Sequence, residues 1–457
     1  MQHAIRYRST NGQAPDVNFG EALMKGQAPD RGLYIPTRIP SLTADEIEAM
    51  TEMEYARIAQ RVLTPYLSED FTAEELRVMT ESAYNYPIPV EMIDDRTAVL
   101  RLDQGPTASF KDFAARMMAR LMQVYLKREK RRILILTATS GDTGSAVANA
   151  FYGLQNVQVL VLFPEKEVSE RQRKQMTTLG GNVRVISLDG KFDDCQALVK
   201  QAFSDPDLVS LDLSSANSIN IGRLLPQSVY YFYAWSRVKS RIDQRPIVVS
   251  VPCGNFGDLA GGWIARKMGL PISQFIAATN SNDEFPKFLN SGEYCKIEPS
   301  IACISSAMNV GHPSNLARLV DWYGGRMDEK GRIHRTPAMD QFRRDICSYS
   351  VSDDQTRQMI REAYTNRHVL LEPHGAVAWA GIQRYIKEQA QSVQEHNPFF
   401  ISIETAHPAK FPDEIRHILQ IAPELPESLS RLDHLPESMI PMANEYPAFK
   451  SYLLKTR

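Results

Sequence analysis

With 457 residues, 43% of them hydrophobic and 23% charged, the chain is long enough for two packed cores plus extensions. Its 52 Lys+Arg against 54 Asp+Glu leave a net charge of −2, so no general attraction to nucleic acid or to an anionic membrane is expected. Five cysteines without a C-x-x-C pair argue against a disulfide framework. With no apolar leader and no apolar run near the ~20 residues of a bilayer span, the sequence predicts a soluble cytoplasmic protein.

Residues 1–95 read as a mainly helical accessory unit. The segment "PSLTADEIEAMTEMEYARIAQRVLTPYL" has helical spacing, with Ser41 and Thr43 as possible caps and Pro65 as a stop. From about residue 98 short β-rich runs alternate with amphipathic helices, the pattern of parallel sheets covered on both faces. This predicts an α/β domain over 96–240, a larger one over 241–422 and a C-terminal extension over 423–457. Strands are expected at 132–138, 157–163, 183–188, 246–251, 275–280 and 399–404.

The first helix of this region, in "LDQGPTASFKDFAARMMARLM", carries Lys111 in its opening turn. Ser109 or Thr107 can cap it, Ser109 with Asp112 resembling a capping box. Asp112, Arg116 and Arg120 recur at i, i+4, i+8 as a charged stripe, with Asp112 placed to support Arg116. Lys111 lies off that stripe, with Ala114, Ala115, Met118 and Met122 on its own face and Phe110 and Phe113 beside it. The helix dipole and apolar surroundings both favour its neutral amine, a nucleophile able to form a Schiff base. The plain alternative is a lysine that snorkels to water.

Two glycine loops follow buried strands. Thr139-Ser140-Gly141-Asp142-Thr143 leads from "ILILTA" into a helix, and backbone N–H groups there suit a carboxylate or phosphate. Gly254-Asn255-Phe256-Gly257-Asp258 does the same after "IVVSVP" and suits a phosphate, with Asp258 bracing the loop. Ordinary tight turns are the alternative for both, and neither is a nucleotide P-loop. At the end of "FFISIE", Thr405 is placed to reach a bound ring, and so are His407 and Lys410, although His407 reads best as a turn residue. No metal-site pattern is present in the sequence.

Together "GPTASFKD", "TATSGDTGSAVA", "SANSINIGRLL", "GNFGD" and "TAHPAKF", in this order, resemble the threonine synthase family, as does the N-terminal "NFGEALMKGQAPDRGLYIP". The resemblance implies a fold type II pyridoxal 5′-phosphate enzyme with two parallel-sheet α/β domains, the first including a smaller substrate-carboxylate subdomain and the second holding the cofactor phosphate. It implies the conversion of O-phospho-L-homoserine and water into L-threonine and phosphate, a lyase reaction of threonine biosynthesis. A related phospho-lyase or dehydratase releasing an oxo acid is the alternative. By the same resemblance Lys111 is the catalytic Schiff-base lysine. Gly254, Asn255, Phe256, Gly257 and Asp258 hold the cofactor phosphate, Thr405 meets the ring nitrogen, and Thr139, Ser140, Gly141, Asp142, Thr143 and Asn217 bind substrate. The expected partner is this small-molecule substrate, with no nucleic acid and no membrane, in a monomer or small homo-oligomer.

Overall fold

The structure is a computed structural model and describes residues 4–455. Its strands in chain order are β1 (Tyr7–Ser9), β2 (Tyr34–Pro36), β3 (Val90–Asp94), β4 (Thr97–Arg101), β5 (Ile133–Ala138), β6 (Val157–Pro164), β7 (Val183–Asp189), β8 (Leu213–Ser214), β9 (Ile247–Pro252), β10 (Ile272–Thr279), β11 (Arg326–Met327), β12 (Ile333–Arg335), β13 (Ile346–Ser350), β14 (Phe399–Glu404) and β15 (Ile440–Ala443). A five-stranded sheet has the order β15-β7-β6-β5-β8 and a six-stranded sheet the order β13-β10-β9-β14-β4-β3. Every pairing in these two sheets is parallel except β3 with β4. The α/β class with two sheets is therefore as expected.

Side-chain alternation explains why both faces of the smaller sheet are covered. Ile133 and Ile135 of β5 turn to the main core, whereas Leu134 and Leu136 turn to a second cluster closed by Phe449 and Leu453. Those last two residues belong to the helix Tyr446–Lys455, and β15 pairs with β7, so the C-terminal extension completes this sheet. In the larger sheet the helix Pro373–Glu388 packs across β9, β10 and β14. The strands β3 and β4 lie at the border of the accessory unit, and β4 pairs with β14, far away in sequence.

The accessory unit is built from the helices Tyr55–Leu67 and Ala73–Ala83 with the β1–β2 pair. Thr43 caps the short helix Ala44–Glu48 through a capping box with Glu46. Pro65 does not stop its helix; it sits inside Tyr55–Leu67, in the last turn. There it forgoes the single bond that an N–H would have made to the carbonyl of Arg61, four residues back, and the helix runs on for only two more residues.

The lysine helix spans Lys111–Glu129 and packs on both Ala73–Ala83 and Asp142–Phe151. Its capping differs from the sequence reading. Phe110 is the N-cap residue, without a side-chain cap bond, although Ser109 Oγ accepts from the Lys111 N–H at 3.2 Å. Asp112 is fully buried and accepts from the Thr107 N–H at 2.8 Å and the Thr107 hydroxyl at 2.6 Å. Arg116 donates not to Asp112 but to the carbonyls of Ala83 and Ser82 and to Asn85. The stripe thus docks the helix onto the C-terminal end of Ala73–Ala83, because open carbonyls there need donors.

Candidate active site

Backbone pairing brings the distant segments together. The loop before the lysine helix is zipped to the chain leaving β14: Phe110 N–H donates to the Thr405 carbonyl at 2.8 Å, His407 N–H to the Ala108 carbonyl at 3.1 Å, and Ser109 bridges Ala406. Lys111 is thereby held beside the carboxyl end of the central strand β14, the side on which parallel sheets bind ligands.

The Lys111 side chain is only 14% exposed. Its Nζ lies 4.8 Å from the centroid of the Phe110 ring and 3.9 Å from Asp142 Oδ2. Burial lowers its pKa most, opposed by Asp142 and Glu372 and assisted by Lys410 and Arg223, and the net direction is down. Phe113 packs among Tyr55, Tyr84, Tyr86 and Tyr230.

In the first glycine loop the Thr139 hydroxyl accepts from the N–H groups of Gly141 and Gly144, bracing the turn into Asp142–Phe151. Gly141 has φ of 139°, and a Cβ there would lie 2.5 Å from the Gln172 carboxamide, so both backbone and space demand glycine. Ser140 is exposed, Thr143 half-buried and Asp142 buried. Asp142 Oδ1 meets Lys410 Nζ at 2.5 Å and accepts from Gln172 Nε2 at 3.0 Å. Burial alone would raise this carboxyl, but Lys410 and Lys111 outweigh it and hold it far below the usual range. Asn217 stands nearby, accepting from the Thr137 hydroxyl at 3.4 Å.

The second loop opens the helix Gly257–Lys267, with Phe256 in the left-handed region at φ 60°. Asn255 Oδ1 accepts from the Ser314 hydroxyl at 2.9 Å, and the Asn255 carbonyl accepts from Asn315, so the loop is stapled to residues 314 and 315. A Cβ on Gly254 would come within 3.0 Å of the backbone at Ala307 and Met308. Asp258 braces as expected: the Tyr230 and Tyr231 hydroxyls both donate to its Oδ1 at 2.6 Å.

Burial pushes Asp258 up to about 6, against the lowering effect of the two tyrosines and Lys111. The folded protein then holds this proton more tightly than the unfolded chain, so the group costs stability as pH rises from about 4 to about 6. Asp258→Asn keeps an acceptor for both tyrosines and cannot ionise. Its stability relative to wild type is expected to rise by about 2–3 kcal/mol across that window and stay constant above it. Urea denaturation at pH 4, 5, 6 and 8 checks this; a pH-independent difference contradicts it.

Two residues of the site, Glu372 and His374, were not singled out in the sequence, whereas Arg223 falls in the matching "SANSINIGRLL" segment and Glu404 ends "FFISIE". Glu372 caps Pro373–Glu388, accepting from the N–H groups of His374 and Gly375. Its Oε2 also meets His374 Nδ1 at 2.5 Å, and its Oε1 accepts from the Thr405 hydroxyl at 3.4 Å. His374 Nε2 accepts from the Ala307 N–H, which places the imidazole proton on Nδ1, toward Glu372. Glu404 lies against this group; burial and Glu372 push its carboxyl well above the usual range. An acid followed by Pro373 at a helix start is a capping signature that could have flagged Glu372. Arg223 is buried, donates to the Ala216 carbonyl at 2.7 Å, and keeps its Nε without a hydrogen-bond partner among the described residues.

A family model described as pyridoxal-phosphate dependent enzyme matches residues 96–396, and models of the threonine synthase N terminus and C terminus match 6–84 and 375–453. A threonine synthase of Haemophilus influenzae is 39% identical, covering 96% of this chain and 97% of that protein. The chain belongs to the threonine synthase family. Among solved structures, a pyridoxal-phosphate-bound threonine synthase of Brucella melitensis matches with a TM-score of 0.91 at 35% identity, over 98% of this chain and 99% of that one. A yeast threonine synthase matches at 0.90 and 30% identity, over 98% of each chain. The two-sheet architecture of this family member is therefore that of fold type II pyridoxal-phosphate enzymes. No helix among the described residues is long and apolar enough to cross a membrane.

Proposed function

We propose that this chain is a threonine synthase that converts O-phospho-L-homoserine and water into L-threonine and phosphate, with Lys111 joined to pyridoxal 5′-phosphate. The observation that carries the residue assignment is the Lys111 amine, shielded from water, depressed in pKa and set beside the carboxyl end of β14. The residues fit the cofactor. A buried arginine with an unpartnered Nε answers to an anionic ligand, and the 254–258 loop offers the N-terminus of an 11-residue helix to a phosphate. The Thr405 hydroxyl, linked to Glu372, is available to the ring nitrogen.

When bound, the cofactor supplies an electron sink for carbanion chemistry at the substrate. The chain's own part is proton traffic and charge. The Lys111 amine, its pKa lowered by burial, takes protons from Cα and then Cβ, phosphate leaves from Cγ, water adds at Cβ, and protons return to Cα and Cγ. One mobile amine with a lowered pKa suits transfers to adjacent carbons. Positive charge from Arg223 favours the anionic ends of the substrate. The 139–143 loop and Asn217 receive the substrate carboxylate, and the 254–258 loop positions the cofactor phosphate. We assign 96–240 and 241–422 as the two α/β domains that meet at this site, with 1–95 and 423–457 as flanking units; the chain crosses these bounds where β3 and β4 join the larger sheet and β15 the smaller one. The balanced charge and free cysteines support a cytoplasmic setting, and the proposal takes the enzyme to act as a monomer or small homo-oligomer.

Incubation of the cofactor-loaded enzyme with phosphohomoserine is expected to give threonine and phosphate in equal amounts. Oxobutanoate and ammonia as the main products would replace this reading with a lyase that stops after elimination.

A further inference from the structure

Asp142 and Lys410 come from the two different sheets. Asp142 opens the helix after β5 of the five-stranded sheet, and Lys410 follows β14 of the six-stranded one. Both side chains are buried, Lys410 with 0% exposure, and they meet at 2.5 Å. Lys410 Nζ also donates to the Thr107 carbonyl at 3.1 Å, four residues before Lys111. Gln172 holds the same oxygen of Asp142 from a third direction. The other oxygen faces Lys111 Nζ at 3.9 Å, beyond a hydrogen bond. One carboxylate is thus shared between two lysines, and the pair with Lys410 is the tight one.

We infer that Lys410 is a positioning residue for Lys111: by holding Asp142 Oδ1 across the gap between the two sheets, it stops the carboxylate from closing onto the Lys111 amine. The inference rests on the reading of Lys111 as the amine that captures the cofactor. A carboxylate in hydrogen-bond contact would stabilise the ammonium form, which cannot attack an aldehyde; a second cation at the same carboxylate acts in the opposite sense. The charged groups acting on Lys111 are Asp142, Lys410, Arg223 and Glu372, and Asp258 lies within electrostatic range of it from the helix Gly257–Lys267. Of these, Asp142 raises the Lys111 pKa most and Lys410 is the strongest charge opposing it.

The test measures, on the full-length chain stripped of cofactor, the pH dependence of the rate at which pyridoxal phosphate is captured. Amine nitrogen adds to the aldehyde carbon, water leaves, and borohydride reduction fixes the adduct for peptide mapping. Lys410→Met removes the rival cation and frees Asp142 to close on Lys111, so the capture midpoint is expected to rise by on the order of 1 pH unit. Lys410→Arg keeps the charge and stays near wild type. Asp142→Asn removes the carboxylate while Lys410 remains, and lowers the midpoint. These opposite directions separate positioning from simple loosening, which would move every variant toward an ordinary lysine. Should Lys410→Met not fold, Lys410→Leu, which is likewise neutral and cannot donate to Asp142, decides the matter with the same upward shift. An unchanged midpoint in the folded neutral variant, or shifts in one direction for both positions, overturns the inference. If wild type itself carries no adduct at position 111, it is the reading of the site that fails.

Discussion

Lys111→Ala is expected to reduce threonine formation by about 10³-fold or more, since the substitution removes both the covalent anchor and the group that moves protons. The fold should survive. The side chain forms no hydrogen bond closer than its 3.9 Å approach to Asp142, and its loss relieves the burial of an amine. Steady-state phosphate release and peptide mapping after borohydride reduction check the two halves of the expectation. Full turnover in the alanine protein would end the assignment. Retained cofactor without turnover would instead indicate that Lys111 serves chemistry more than anchoring.

The second large effect is expected on stability. Glu372 is fully buried, and its carboxylate accepts from two backbone N–H groups, the His374 imidazole and the Thr405 hydroxyl. Glu372→Ala removes a helix cap, worth about 1 kcal/mol, and strands further buried donors at about 1–3 kcal/mol each. A total of about 3–5 kcal/mol is expected, read as a lowered urea midpoint with an unchanged slope. Glu372→Gln should lose less, because its amide oxygen still serves one pair of donors while its NH2 faces the other. A Glu372→Ala protein within about 1 kcal/mol of wild type would show that these donors find other partners. Gly375 argues that they do not: a Cβ there would collide with the Glu404 carboxylate, so the group is packed without slack.

What was legible in the chain was local. The strands Ile133–Ala138, Val157–Pro164, Val183–Asp189, Ile247–Pro252 and Phe399–Glu404 fall where short apolar runs lie between turn residues, because a buried parallel strand needs an unbroken run of apolar side chains. Both glycine loops were visible for the same reason, as strand, turn and helix following one another within a dozen residues. The short strands β4 and β15 were harder to see, since each is held by a partner distant in sequence rather than by its own pattern. The charged stripe Asp112, Arg116, Arg120 shows the limit of periodicity. Spacing placed these residues on one face but could not tell that this face meets Thr107 and the end of Ala73–Ala83 instead of water.

The sequence by itself determined the fold class, the two loops and the presence of an unusual lysine at a helix start, all consequences of interactions among near neighbours. Only the tertiary structure decided what surrounds that lysine. Asp142 with Lys410, Glu372 with Thr405, and the two tyrosines on Asp258 join segments that are far apart along the chain. The ionisation of a buried group is set by whichever charges and donors the folded packing leaves within a few ångströms of it.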